Sequence, residues 1–208
     1  MTERHAPHPE TILDEAALAE CAERLGRAIT ADHPGGVVLV GVLKGALVFL
    51  ADLVRQIREI DVAVDFLAIS RYAPDSGRVR LLKDLDLEVS DRDVVIVEDL
   101  VDTGLTIAYL VGHITARGAR CVDICALLDR SERRIVPLPI RYVGREIPGD
   151  AYVLGYGLHH GDQYRNLPMV VRVDPARLAS DPDVYLALYP GPEPGRAGSR
   201  VTARRTAP

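Results

Sequence analysis

The chain has 208 residues, 48% of them hydrophobic, which suits one domain with a substantial core. It has no Trp and only 5% aromatic residues, so aliphatic side chains must fill that core. A net charge of -5 argues against a general nucleic-acid binder, which would carry a basic patch.

Met1 to Glu10 is polar, holds two prolines and lacks the apolar core of a signal peptide. No apolar run is long enough to span a membrane, so no membrane contact and a cytoplasmic location are expected. Cys21, Cys121 and Cys125 are sparse and lack zinc-site spacing. They read as buried, reduced thiols, which fits a reducing cytoplasm.

Residues 1–10 are expected to be disordered. From Asp14 to about Ala31, Ala17, Leu18, Cys21, Leu25, Ala28 and Ile29 recur at helical spacing. Pro34-Gly35-Gly36 ends that helix. The β-branched run Val37 to Val42 predicts a buried strand, Leu43-Lys44-Gly45 a tight turn, and Ala46 to Arg58 a helix. Val62 to Ser70 predicts a second strand. Ala73 to Val79, with Pro74, Asp75 and Gly77, predicts a loop. Asp93 to Val97 is the most strongly patterned strand. A helix from about Leu105 to Arg117 follows, closed by Gly118. Val122 to Leu128 predicts a fourth strand. Short segments follow at Tyr142-Val143, Ala151 to Leu154 and Met169 to Val173. The domain is expected over 11–189. Residues 190–208, rich in Pro, Gly and Arg, predict a disordered tail.

Strands alternating with helices predict an α/β fold with a parallel sheet, whose ligands sit at the carboxyl ends of the strands. The late segments would form a small hood over that edge.

The chemistry concentrates in Val94-Val95-Ile96-Val97-Glu98-Asp99-Leu100-Val101-Asp102-Thr103-Gly104-Leu105-Thr106. An apolar strand ends in two adjacent acids, which can accept hydrogen bonds from a vicinal diol such as a ribose. The Thr-Gly-x-Thr turn offers backbone N–H groups, two hydroxyls and a helix N-terminus, a set suited to a phosphate dianion. Asp102 lies between the two subsites and can serve as a general base. The plainer reading is a strand-to-helix turn with a capping Thr and solvated acids. The ordered combination favours function.

This segment resembles the motif by which type I phosphoribosyltransferases bind phosphoribosyl pyrophosphate (PRPP). The resemblance implies that Glu98 and Asp99 take the ribose and that Asp102, Thr103, Gly104, Leu105 and Thr106 take the 5-phosphate. It extends from about Leu39 to Val173, along the hypoxanthine/guanine branch of that family. Val40 to Ala46 is similar to the branch's pyrophosphate loop, which implies contacts from Lys44 and Gly45. Val64-Asp65-Phe66 followed by Ser70-Arg71-Tyr72 resembles the strand leading to its mobile loop. Tyr152 to Leu158 resembles the segment that stacks an aromatic ring on the purine and offers main-chain carbonyls, which gives Tyr152, Val153 and Leu158 base-binding roles. Tyr164-Arg165-Asn166-Leu167-Pro168 resembles the segment whose Arg meets the pyrophosphate. The implied reaction transfers phosphoribose from PRPP to a 6-oxopurine, hypoxanthine or guanine, and releases pyrophosphate. Mg2+ at Glu98, Asp99 and Asp162 and a homo-oligomer, dimer or tetramer, are also implied.

Three departures bear on the acceptor base. Arg130 stands where the family has a Lys that donates to the purine 6-oxygen, and a forked guanidinium is not equivalent to an ammonium. The plainer reading is a solvated loop arginine. His159 stands where the family has a metal-site Asp. A neutral imidazole is a poor Mg2+ ligand, and Asp162 lies three residues on. His159 and His160 also read simply as half-exposed loop residues. The loop after Arg71-Tyr72 is shorter than usual. A modified purine or related heterocycle is therefore the alternative acceptor. A non-catalytic nucleotide sensor or RNA-binding regulator is a third reading. The intact Lys44, Glu98, Asp99, Asp102 and Arg165 speak against it.

Overall fold

The computed structural model describes residues 9–70 and 80–189. The expectations for Arg71, Tyr72, the 73–79 loop and the 190–208 tail lie outside them. Strands β1 (Glu10–Leu13), β2 (Val37–Leu43), β3 (Val62–Ser70), β4 (Arg80–Lys83), β5 (Asp93–Val101), β6 (Cys121–Asp129), β7 (Tyr142–Glu146), β8 (Tyr152–Leu154) and β9 (Val170–Val173) form two sheets. The helices are α1 (Glu15–Asp32), α2 (Leu47–Val54), α3 (Leu105–Ala116) and α4 (Pro175–Ser180).

The main sheet has six strands in the order β4-β3-β2-β5-β6-β7. All its pairings are parallel except β3 with β4. Alternation along each central strand supplies the two faces that parallel strands must bury. Leu39, Val95, Val97, Cys125 and Leu127 pack with α1 and α2. Val38, Val40, Ile96, Ile124 and Ala126 pack with Ile107, Leu110 and Ile114 of α3 on the other side. Asp14 caps α1 by accepting the Ala17 N–H at 2.8 Å. Among the described residues, no helix is long and apolar enough to cross a membrane.

The hood is a second, antiparallel sheet of order β1-β9-β8. It encloses its own cluster around Tyr164, Leu167, Val171 and Leu178. Glu10, expected within the disordered start, instead pairs with Arg172 and opens β1.

Three other boundaries depart from expectation. Helix α2 stops at Val54 rather than Arg58, because the N–H groups of Gln56 and Ile57 turn back to carbonyls three residues earlier, at Leu53 and Val54. Strand β5 continues to Val101, because its ladder with β6 extends through Leu100–Leu128 and Val101–Asp129. The two acids therefore lie within the strand rather than at its end. Strand β4 was not expected. The buried Asp65 carboxylate steadies the chain beside it, taking the Lys83 ammonium at 3.3 Å and the N–H groups of Asp86 and Leu87 at 2.8 Å.

Candidate active site

The register of the central strands delivers three chain ends to one edge: Leu43-Lys44-Gly45 after β2, Glu98 to Val101 on β5, and Asp129-Arg130 at the end of β6. A cleft of 290 Å3 opens there. It is lined by Lys44, Gly45, the whole run from Glu98 to Gly104, Thr106, His159 and Arg165. With Ile69 of β3, which also lines it, four segments far apart in sequence thus meet on one surface.

Glu98 is 9% exposed and pairs through its backbone with Ala126 of β6. Burial pushes its carboxyl well above the usual range, and the adjacent Asp99 charge adds to the rise. A group whose folded pKa is raised stabilises the fold most when protonated. That contribution is lost as pH rises from the unfolded value, about 4.3, towards the raised folded one. Glu98→Gln, which imitates the neutral acid, is expected to melt higher than the wild type at pH 7. The gap should shrink towards pH 4.5. Equal melting temperatures across that range would show that Glu98 carries no such strain.

The turn after β5 is shaped by Gly104, at φ +83°, whose missing Cβ would lie 2.9 Å from Arg134 Cδ. Gly104 precedes α3, whose first N–H groups have no intrahelical acceptor. Thr103 Oγ1 stands only within a long 3.5 Å of the Leu105 N–H, so a capping threonine is a weak account of this turn. Asp102 is half-buried among cations. Arg130 Nη1 lies 3.5 Å from its Oδ2, and Arg133 Nε 3.1 Å from its Oδ1. The Arg133 approach is outside hydrogen-bonding geometry, so Asp102 Oδ1 is buried with no hydrogen-bond partner.

Arg130 is not a solvated loop arginine. It is 8% exposed, and its Nη2 donates to the Ala151 carbonyl at 2.6 Å. Its Nε is buried without a hydrogen-bond partner. Arg134 was not singled out from sequence, yet it donates to the Asp102 carbonyl at 2.9 Å and to the Asp129 carboxylate. The run Arg130-Ser131-Glu132-Arg133-Arg134 reads as a solvated charged loop. Only the fold reveals that three of its arginines surround Asp102.

Gly45 sits against Asp99. A Cβ there would fall inside the Asp99 carboxylate, 2.5 Å from its Cγ. Gly157, at φ +101°, packs its own backbone on the Gly45 carbonyl. Arg165 donates to the Gly157 carbonyl at 2.7 Å and to Asp162 at 3.1 Å. Lys44 Nζ lies 3.8 Å from the same Asp162 oxygen. The Arg165 hydrogen bond, then the Lys44 charge, hold the Asp162 carboxyl below the usual range. Asp162 does not line the cleft, and the structure does not bring it to Glu98 and Asp99. His159 does line the cleft, and its Nδ1 accepts the Asp162 N–H at 3.1 Å.

Tyr152 begins β8, and its hydroxyl lies 3.0 Å from His160 Nδ1. The Val153 and Leu158 side chains are buried in the core beneath α1 and α2, so only their backbones are available to a ligand. The Leu158 and Gly155 backbones bond each other reciprocally, at 3.1 and 3.2 Å.

A family model described as phosphoribosyl transferase domain matches residues 9–162. The chain is 39% identical over 171 residues to the hypoxanthine-guanine phosphoribosyltransferase of Bacillus subtilis, covering 80% of this chain and 94% of that protein. It is 40% identical over 167 residues to the hypoxanthine-guanine phosphoribosyltransferase of Mycobacterium tuberculosis, covering 77% of this chain and 82% of that one. Among solved structures, a hypoxanthine-guanine phosphoribosyltransferase from Bacillus anthracis superposes with a TM-score of 0.76 at 39% identity, over 79% of this chain and 98% of that chain. The hypoxanthine phosphoribosyltransferase of Trypanosoma cruzi gives a TM-score of 0.77 at 33% identity, over 82% of this chain and 94% of that one.

Proposed function

The chain belongs to the phosphoribosyltransferase family, and on that footing we propose that it transfers the phosphoribosyl group of PRPP to hypoxanthine or guanine, giving the nucleoside monophosphate and pyrophosphate. The observation that carries this reading is the single cleft joining the Glu98 to Gly104 run and Thr106 with Lys44, Gly45 and Arg165; Leu105, expected at the phosphate, does not line it. Each half suits one end of PRPP. The Gly104 turn and the α3 N-terminus suit the 5-phosphate. Lys44 and Arg165, joined through Asp162, suit the pyrophosphate. Glu98 and Asp99, in the same cleft, suit the ribose hydroxyls.

The donor set also fits Mg2+ arriving with the diphosphate. Glu98 and Asp99 offer hard oxygen donors, and Glu98 is a buried acid whose ionisation a nearby cation would favour. When bound, Mg2+ would neutralise charge on the departing pyrophosphate. Asp162 is better suited to orienting Lys44 and Arg165, which already engage it.

Asp102 accepts the proton released as the base nitrogen attacks ribose C1. Its carboxylate stands in the wall of the cleft, beside Arg130 and Arg133. Tyr152 stacks on the purine and the Val153 backbone meets its polar edge, while the Leu158 backbone, bonded both ways to Gly155, shapes the segment beside it. The protein would act in the cytoplasm as a homo-oligomer, a dimer or tetramer. Incubating it with PRPP, Mg2+ and a panel of bases, with nucleotide and pyrophosphate both measured, tests the reading. Pyrophosphate release without nucleotide would count against hypoxanthine and guanine as acceptors.

A second reading, a modified purine or related heterocycle as acceptor, is favoured by the burial of Arg130 and its unpartnered Nε. Arg130→Lys separates the two. A 6-oxopurine enzyme should keep or improve its use of hypoxanthine and guanine. An enzyme that needs the guanidinium fork should lose about 10- to 150-fold for its own base, the cost of one charge-assisted hydrogen bond. Competition between pairs of bases reads the ranking directly. An unchanged ranking would remove Arg130 as a specificity residue.

A further inference from the structure

Three consecutive carbonyls of the turn after β5 are all taken by one segment, residues 130–136. The Val101 carbonyl accepts the Arg130 N–H at 3.0 Å. The Asp102 carbonyl accepts Arg134 Nη1 at 2.9 Å. The Thr103 carbonyl accepts the N–H groups of Ile135 at 2.9 Å and Val136 at 3.3 Å. In a trans peptide the N–H points opposite to the C=O. Drawing three successive carbonyls to one side therefore turns the N–H groups of Asp102, Thr103 and Gly104 to the other. That other side is the cleft, which Val101, Asp102, Thr103 and Gly104 line and which, among the described residues, no member of 130–136 lines. Convergent N–H groups of this kind bind anions.

Two of the three carbonyls are held by backbone donors, which any sequence supplies. The middle one is held by a side chain. Arg134 is 14% exposed and bridges the Asp102 carbonyl to the Asp129 carboxylate, itself 8% exposed, at the end of β6. Its Cδ lies 2.9 Å from where a Gly104 Cβ would be, so it lies along the turn as well as bonding to it.

We propose that Arg134 is a positioning residue: through the Asp102 carbonyl it fixes the Asp102–Thr103 peptide so that the turn presents its N–H groups to the 5-phosphate. By spanning from Asp129 to Asp102 it also ties the phosphate turn to the strand end that carries Arg130. The inference rests on the transferase reading of this cleft.

The experiment measures binding of two separate probes in Mg2+ buffer by calorimetry, ribose 5-phosphate and inorganic pyrophosphate, to wild type, Arg134→Met and Arg134→Lys. Wild type should bind both. Arg134→Met should bind ribose 5-phosphate about 10- to 100-fold more weakly, the range for a lost charge-assisted hydrogen bond. Its pyrophosphate affinity should stay within about 3-fold, because Lys44 and Arg165 lie on other segments. Arg134→Lys, which keeps the charge but cannot bridge both acceptors, should fall between. Should Arg134→Met not fold, Arg134→Lys carries the comparison. A variant that melts lower yet binds ribose 5-phosphate as wild type does would reduce Arg134 to a structural brace and overturn the proposal. Equal weakening of both probes would overturn it too, since the effect would not be local to the turn. Absence of ribose 5-phosphate binding in wild type would instead bring down the transferase reading itself.

Discussion

Asp102→Asn is expected to lower turnover by about 10²- to 10⁴-fold, the range for loss of a general base, while PRPP still binds. Asparagine keeps the side chain's size and leaves the Asp102 carbonyl available to Arg134. It cannot take up a proton. The new amide NH2 faces a cation in either orientation, Arg133 if it replaces Oδ1 and Arg130 if it replaces Oδ2. Some loss of melting temperature should follow, because Arg130 is buried and would lose its anionic neighbour. Turnover and binding therefore need separate measurement: PRPP affinity by calorimetry, and kcat across pH. A variant that turns over like wild type at every pH would exclude Asp102 as the proton acceptor.

The parts of this molecule legible in its sequence are those where local chemistry and tertiary position agree. Val37 to Val42 is a β-branched run and forms a buried parallel strand, with Val62 to Ser70 as its partly buried parallel neighbour. Asp14 and Gly118 mark helix ends through capping, which is a local property. The turn between β5 and α3 was legible because its residue types and their order serve one backbone geometry. Lys44, Gly45, Glu98 to Gly104, Thr106 and Arg165 then meet in one cleft, which no single segment discloses.

What stayed hidden depends on distant partners. Strand β5 runs on past the acids because β6 pairs with it to Asp129, and pairing length is not written in either strand alone. Glu10 forms a strand because β9 offers it an edge. Arg134 looks like surface charge until Asp129 and Asp102 are seen on either side of it. Asp162 looks like a spare metal ligand from its spacing. In the fold it pairs with Arg165 and lies near the exposed Lys44, and it does not line the cleft.

Gly45→Ala should cost about 10²-fold or more in kcat/KM for PRPP, the scale on which small displacements of a reacting ligand are felt. On one side, the added Cβ would occupy the space of the Asp99 carboxylate, 2.5 Å from its Cγ. On the other, the Gly45 carbonyl is already packed on the Gly157 backbone, whose own missing Cβ leaves room for that oxygen and nothing more. The loop therefore cannot retreat from Asp99 without pushing the Gly157 segment, which Arg165 holds through the Gly157 carbonyl at 2.7 Å. Either Asp99 rotates away from the ribose position, or Lys44 and Arg165 shift relative to the phosphate turn. Both outcomes separate the two ends of the PRPP site. Overpacking of this kind also lowers stability by about 1–3 kcal/mol, so melting should be followed beside the kinetics. The diagnostic result is a loss in kcat/KM for PRPP much larger than the folded fraction explains. A folded Gly45→Ala enzyme within about 3-fold of wild type, against that expected scale, would mean that the turn after β2 can move freely and that the close approach of Gly45 to Asp99 does not shape the site.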